Sequence, residues 1–362
     1  MTAGLTAGAA NVRGMTTSHT PDFELDRPGT LIAAVPAVLG FVPERSLVLM
    51  TVERGALGCV LRIDLDDDME EQIAHLAEVA AAGRPDGAVA VIVDEHGAGC
   101  HPCNDDYREL ADLLAEQLAA WDIALLGAHV VDRVATGGRW HCADGCGRGG
   151  VIEDPSASPL AVAAVLDGRR LYTRRSELQA VVAADPERSA ELAELNSAGS
   201  DRFGAMTDGE ARAAIDEARA AAAHVADGGA LSDEVAARVG RALRDVRVRD
   251  TLFALAVGEE ADRAEALWVT LARILPTPWR TEALVLLAFS AYARGDGPLA
   301  GVSLDAALRV DPVHRMAGML DQALQSGLRP EQIRELAVTG YRLAEALGVR
   351  LPPRHRGRRR AG

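Results

Sequence analysis

Apolar and polar positions alternate or cluster along the first half of the chain in a way that predicts strands separated by helices. Residues 46–52 and 58–65 each have a strand pattern, and the turn at 53–55 predicts that they form a hairpin. A wholly apolar strand is predicted at 88–93 and another strand at 123–134. Since helical patterns connect these strands, we expect an α/β domain with a mixed, mostly parallel sheet to which the hairpin adds an antiparallel edge.

Helical periodicity in the same half predicts three helices. The apolar run 31–40 has helical length, and Gly40 is a suitable residue to end it. Asp68 is a predicted N-cap for a second helix, whose apolar face comprises Ile73, Leu76, Ala77 and Ala80. The third helix carries its apolar positions at Leu110, Leu113, Leu114, Leu118 and Trp121.

The pattern changes at residue 158, where alanine-rich helical segments begin and strand signals stop. We therefore expect a flexible leader at 1–27, an α/β domain at 28–157, an all-α domain at 158–350 and a basic, disordered tail at 351–362. Residues 281–314 resemble one tetratricopeptide unit, with Ala300 and Ala307 at the contact between two helices. Because a solenoid needs about three repeats, we favour one or two hairpins within a helical domain.

Charge and composition exclude several functions. The net charge of −15 argues against general binding to nucleic acid or to an anionic membrane, leaving only the arginines of 354–360 for such contacts. All 38 basic residues are arginines, so a Schiff-base lysine, a P-loop and a kinase site are excluded. The beginning of the chain lacks a secretory signal and no apolar stretch is long enough to span a membrane, which predicts a cytoplasmic protein.

Four of the five cysteines form two closely spaced pairs. Cys100 and Cys103 are separated by two residues, whereas Cys142 and Cys146 are separated by three. Four thiolates, or three with a histidine, satisfy a tetrahedral zinc ion, so one prediction from these pairs is a zinc site. The alternative is that these cysteines are small buried hydrophobic residues.

A second candidate site lies at the carboxyl ends of the predicted strands. Asp94 and His96 follow the apolar strand, and Asp64 ends the strand before it. Open α/β sheets bind ligands at this edge, so these side chains are candidates for acid–base or metal-assisted hydrolysis. The alternative is that they are helix caps and solvated loop residues, and the sequence shows no nucleophile elbow or zinc-protease motif.

The glycines of Gly145-x-Gly147-x-x-Gly150 match the dinucleotide-binding pattern in spacing alone. That mechanism needs a helix N-terminus directly after the loop, because its amides bind the pyrophosphate. Prolines and turn residues follow here instead, so we predict no dinucleotide site at this loop.

Several motifs are similar to those of a mainly actinobacterial family of unknown function, DUF4192. They are LIAAVP at 31–36, Leu39-Gly40-Phe41-x-Pro43-x-x-Ser46-Leu47-Val48, Arg62-x-Asp64-Leu65, Gly138-Arg139-Trp140, the segment 154–164, Tyr292-x-x-Gly295-Asp296-Gly297 and Ala307-Leu308-x-x-Asp311-Pro312. The resemblance implies a common fold and lineage, and no function. The chain departs from the family at Gly147, where relatives usually have a second, adjacent cysteine.

Together these observations favour a cytoplasmic, non-enzymatic binding protein whose helical domain contacts a protein partner. The alternatives are a metal-dependent hydrolase and a small-ligand or nucleotide-binding module, both at the carboxyl edge of the sheet.

Overall fold

The computed structural model describes residues 27–66, 69–97, 101–166, 169–197 and 206–354, and only the backbone of 101–103 and 195–197. The leader up to residue 26, the N-cap Asp68, Cys100 and the tail from 355 lie outside these residues. The chain divides into two compact units. The first runs through Leu178 and includes 296–298 and 323–329; the second comprises 179–295, 299–322 and the chain from 330. The first unit therefore extends past residue 157, where the sequence predicted its end.

The first unit contains a six-stranded sheet with the strand order β2-β1-β3-β4-β5-β6. The strands are β1 (Ser46–Glu53), β2 (Ala56–Asp64), β3 (Gly87–Val93), β4 (Ala124–Val131), β5 (Arg139–Cys142) and β6 (Gly149–Val151). The predicted hairpin and the strands at 88–93 and 123–134 are confirmed, the last of them shorter than predicted. The short pair β5 and β6 was not predicted as strands, because three or four residues carry little periodicity.

The prediction of a mostly parallel sheet is wrong. Only β3 and β4 pair in parallel, whereas β1 pairs antiparallel with both β2 and β3, and β5 pairs antiparallel with β4 and β6. The helical crossovers do connect strands that point the same way, since β2, β3 and β4 share one direction. However, β1 lies between β2 and β3, so the first crossover spans an antiparallel strand.

Helices α1 (Pro28–Leu39), α2 (Met69–Ala81), α3 (His101–Ala119) and α4 (Pro159–Leu166) complete most of the first unit, with α5 (Arg175–Val181) at its end. One face of the sheet packs on α2 and α3 in a core that includes Leu47, Leu61, Ile92 and Leu114. On the opposite face Val48, Met50 and Val60 are buried as well. Strands β1 and β2 are thus covered on both faces, which explains their nearly continuous apolar sequences.

The spacing of Trp121 predicted that it lies on the buried face of α3, and this prediction is wrong. Helix α3 ends at Ala119, and Asp122 adopts a left-handed conformation with φ of 59°. The chain therefore leaves the helical path before the position that would return to the core, and Trp121 is 51% exposed.

The rest of the described chain is helical, and its described residues add only isolated bridges at Tyr172 and Arg354 to the sheet structure. Its helices are α6 (Pro186–Ser197), α7 (Asp208–Ala226), α8 (Asp233–Ala242), α9 (Val246–Leu252), α10 (Ala261–Ile274), α11 (Trp279–Arg294), α12 (Gly297–Val310), α13 (Arg315–Gln325) and α14 (Pro330–Leu347). Helices α11 and α12 occupy the segment predicted as a helix–turn–helix; its likeness to a tetratricopeptide unit stays a prediction. No helix among the described residues is long and apolar enough to cross a membrane.

We expect Ala300→Leu to lower the free energy of unfolding by about 1–3 kcal/mol, because Ala300 is 0% exposed and a larger side chain overpacks its surroundings. The matched control is Ala220→Leu on the exposed side of α7, which should change stability by less than about 0.5 kcal/mol. Denaturant unfolding measures both variants. An Ala300→Leu protein as stable as the parent would show that the site is not tightly packed.

Candidate metal centre

The turn that connects β5 to β6 brings two cysteines together. Cys142 ends β5, and its backbone N–H donates to the carbonyl of Arg148 across the hairpin at 3.0 Å. Gly145 and Gly147 have φ of 73° and 81°, a left-handed conformation that glycine adopts without strain. These two residues flank Cys146 and fold the loop back on itself, so that Cys146 returns towards Cys142.

Three side chains of this hairpin converge on one point. The Sγ atoms of Cys142 and Cys146 and a carboxylate oxygen of Asp144 all lie within 4.8 Å of one another. The backbone N–H of Cys146 donates to Asp144 at 2.9 Å, which holds the carboxylate beside the thiols. In a tetrahedral site with zinc–sulfur bonds of about 2.3 Å, two sulfurs are about 3.8 Å apart. The cluster is therefore compact enough to bind one ion with little rearrangement.

A fourth candidate ligand comes from the neighbouring strand. His129 on β4 pairs directly with Cys142 in the sheet register, and its Nδ1 lies 3.7 Å from the Cys142 Sγ. That separation from Cys142 matches sulfur and nitrogen ligands of a single zinc ion, which are roughly 3.6 Å apart. His129 is not one of the three residues whose ligand atoms all lie within 4.8 Å of one another, so its ring would have to move towards Asp144 and Cys146 to bind the same ion. The His129 ring also packs edge-on against Trp140, with centroids 5.5 Å apart, which restricts its orientation.

Burial and hydrogen bonding shift the pKa values of these candidate ligands. Burial, aided by the positive charge of Arg148, lowers the pKa of His129 to about 4, so the imidazole is neutral near pH 7 and able to coordinate a metal. Burial, together with a hydrogen bond to Cys146, raises the pKa of Cys142 to about 11, so this thiol is protonated near pH 7. The hydrogen bond from the Cys146 N–H holds the pKa of Asp144 below its ordinary value.

Of the four predicted cysteine ligands, the structure brings Cys142 and Cys146 together. Cys100 and the side chain of Cys103 lie outside the described residues, so the four-cysteine site stays a prediction. Helix α3, which contains Cys103, packs on the face of the sheet that carries Val130. Since side chains alternate along a strand, Cys142 points to the opposite face from α3.

Sequence reasoning missed both His129 and Asp144. Asp144 lies inside the Cys-x-x-x-Cys segment, and a survey of every oxygen or nitrogen ligand within that loop finds it. His129 has no such signal, because its proximity to Cys142 depends on the register between β4 and β5.

The acidic candidates at the carboxyl edge do not form one site. Asp94 accepts hydrogen bonds from the Tyr107 hydroxyl at 2.5 Å and from the His96 N–H at 3.0 Å. Burial acts to raise the pKa of Asp94, but these hydrogen bonds outweigh it and the pKa lies below its ordinary value. Asp64 ends β2, two strands from Asp94 and hence about 10 Å away, and pairs with Arg62. The structure does bring His96 beside Asp94, with its Nδ1 3.5 Å from a carboxylate oxygen, but the imidazole is 86% exposed.

The glycine pattern at Gly145, Gly147 and Gly150 forms part of the β5–β6 hairpin. Strand β6 follows the loop where a dinucleotide site requires a helix N-terminus. The structure therefore confirms only that no helix N-terminus follows this loop.

We expect His129 to make the metal-free protein sensitive to acid. Its pKa is about 4 in the folded state against 6.5 as an ordinary value, so its contribution to stability is complete above 6.5 and is lost as the pH falls towards 4. The loss is about 3 kcal/mol, at 1.36 kcal/mol per pKa unit. Urea unfolding with a chelator at about pH 7 and about pH 4 measures it. His129→Asn should lose correspondingly less stability over that range; equal losses would contradict the assignment.

A family model described as a domain of unknown function, DUF4192, matches residues 28–331. A search of curated proteins and a search of solved structures each find no match to the chain. The family match covers most of the chain, includes the sheet and the Cys142–Cys146 hairpin, and begins where α1 begins. It confirms the resemblance found in the sequence motifs, and the chain belongs to the DUF4192 family.

Proposed function

We propose that this protein is a non-enzymatic metal-binding protein that holds one zinc ion at the β5–β6 hairpin. The ligands are Cys142, Cys146, His129 and Asp144. The observation that carries the proposal is the convergence of two sulfurs and a carboxylate oxygen within 4.8 Å, with the His129 Nδ1 at 3.7 Å from one of those sulfurs.

The ligand types favour zinc over other common ions. Thiolate and imidazole ligands suit zinc, whereas calcium and magnesium require mostly oxygen ligands. Four protein ligands complete a tetrahedral shell, which is typical of structural zinc sites; catalytic sites keep one position for water. A closed shell of this kind supports a structural or binding role.

The remaining parts of the proposal concern partner and location. A protein partner would contact the helices of the second unit, which exposes Val313 (88%), Met319 (47%) and Leu336 (41%). A cytoplasmic location fits thiol ligands, because a reducing compartment keeps them from forming disulfides. A hydrolase or ligand-binding module at the carboxyl edge has less support, because Asp64 lies two strands away from Asp94.

We expect the purified protein, reconstituted with zinc and desalted, to carry about one zinc per chain. Cys142→Ser and Cys146→Ser should each abolish stoichiometric zinc binding, and His129→Gln should weaken it at least about tenfold, because each removes one of four ligands. Cys59→Ala is the matched control, since Cys59 is a buried free cysteine on β2. Elemental analysis and competition with a chromogenic chelator measure content and affinity.

A double variant, Cys100→Ser with Cys103→Ser, distinguishes the two ligand sets. Under the proposal it retains zinc with parental affinity. Loss of zinc in this double variant, together with full retention in His129→Gln, would replace the proposed ligand set by the four-cysteine site.

The zinc affinity should also rise with pH. Because the pKa of Cys142 is about 11, binding near neutral pH displaces at least this proton. We therefore expect the apparent Kd to fall by about tenfold or more for each pH unit between roughly pH 6 and pH 8. Calorimetry in buffers of different ionisation enthalpy counts the released protons. A pH-independent affinity would show that no protonated thiol is a ligand.

A further inference from the structure

A cavity lies at the amino ends of β3 and β4, where the chain leaves α2 and α3 and opposite the edge that carries Asp94. Its volume is about 590 Å³, within the range of small-molecule sites. Pro85 and Ile123 are buried at its base, and Glu78, Arg84, Trp121 and Asp122 line it as well. These residues all belong to the first unit and are separate from the metal centre.

The topology places two helix C-termini at this cavity. Strands β2 and β3 point the same way, so the helices that follow them, α2 and α3, both run back and end at the same edge of the sheet. A helix C-terminus carries a partial negative charge of roughly half an elementary charge. Neither α2 nor α3 has a basic residue in its last turn, where one commonly offsets that charge. The edge therefore favours a cation.

The residues that end these two helices also line the cavity. Arg84 and Asp122 follow α2 and α3 in a left-handed conformation, with φ of 49° and 59°. Residues other than glycine adopt this backbone conformation at a cost in free energy, and residues held in it are enriched at functional sites. The carboxylates of Glu78 and Asp122 outnumber the single guanidinium of Arg84, so the charged side chains around the cavity sum to −1.

An exposed indole completes the lining. Trp121 is 51% exposed, and tryptophan is the aromatic ring that binds cations most strongly through its face. Sites that recognise ammonium groups combine such a ring with nearby negative charge. Trp121 here adjoins Asp122 in the sequence and the C-terminus of α3 in the structure.

We propose that this cavity is a binding site for a small organic cation with an ammonium group. The apolar base and the indole contact its alkyl groups, while two carboxylates and two helix C-termini attract its charge. An anion would meet those same negative groups with only Arg84 in its favour. The positive charge of Arg84 repels a cation. Removing that charge should therefore strengthen binding.

Choline is the probe, and its uncharged isostere 3,3-dimethylbutan-1-ol is the control ligand. Indole N–H resonances of the four tryptophans report on contact, with Trp121 assigned by substitution. We expect choline to shift the Trp121 resonance in a saturable manner and the neutral alcohol to shift it much less. Saturable binding of both ligands with equal affinity, or no saturation by choline at millimolar concentrations, would overturn the proposal.

Variants then test the contribution of each group by calorimetry. Trp121→Leu should weaken choline binding by about tenfold, as expected for loss of one cation–π contact, and Asp122→Asn should weaken it by about threefold. Arg84→Asn should strengthen it by about threefold, since asparagine tolerates the left-handed conformation. Asp112→Asn, an exposed carboxylate of α3 that does not line the cavity, is the charge-matched control. Thermal unfolding confirms that each variant is folded, and a Trp121→Leu protein with parental affinity would refute the site.

Discussion

The antiparallel pairing of β1 between β2 and β3 is the constraint on which the first unit depends. Ser46 at the start of β1 pairs with Asp64 on one side and with Val93 on the other. Because β1 runs against both neighbours, β2 and β3 point the same way, and the parallel pairing with β4 continues that direction. Seven of the eight residues of β1 are buried, so a shift of one residue would exchange its two buried faces and disturb packing on each.

The shared direction of β2, β3 and β4 determines which residues lie at each end of the sheet. Strands β2, β3 and β4 deliver Asp64, Asp94 and Asp132 to one end, whereas α2 and α3 finish at the other. The inserted β1 separates Asp64 from Asp94 by two strand spacings, about 10 Å, so these carboxylates do not share a site although they end successive strands of the chain, β2 and β3. At the opposite end no such insertion separates α2 from α3, because both helices pack on the same face in one core.

The sequence predicts features that depend on local pattern and misses those that depend on pairing. The apolar run at 88–93 and the face formed by Ile73 and Leu76 are buried as predicted, because burial follows from periodicity. The position of β1 between β2 and β3 cannot be predicted from periodicity, because a hairpin has the same sequence pattern whether its first or its second strand pairs with β3. In the same way Cys142 and Cys146 are visible as a pair, but His129 becomes a candidate ligand only once β4 and β5 are in register.

The candidate metal centre lies in the part of the sheet that has the least support from packing. Strand β6 has three residues, all exposed, and its partner β5 has four, of which only Cys142 is buried. Such a short pair contributes few hydrogen bonds and little apolar burial, and isolated pairs of this kind are marginal in water. The strands β1 to β3, by contrast, are stabilised by the core on both faces. A zinc ion held by Cys142, Cys146, Asp144 and His129 would join the hairpin loop to β4, with a binding free energy of order 10 kcal/mol in structural sites. The ion would therefore order this edge of the sheet while the core folds without it, which is the behaviour expected of a structural zinc site added to a stable α/β unit.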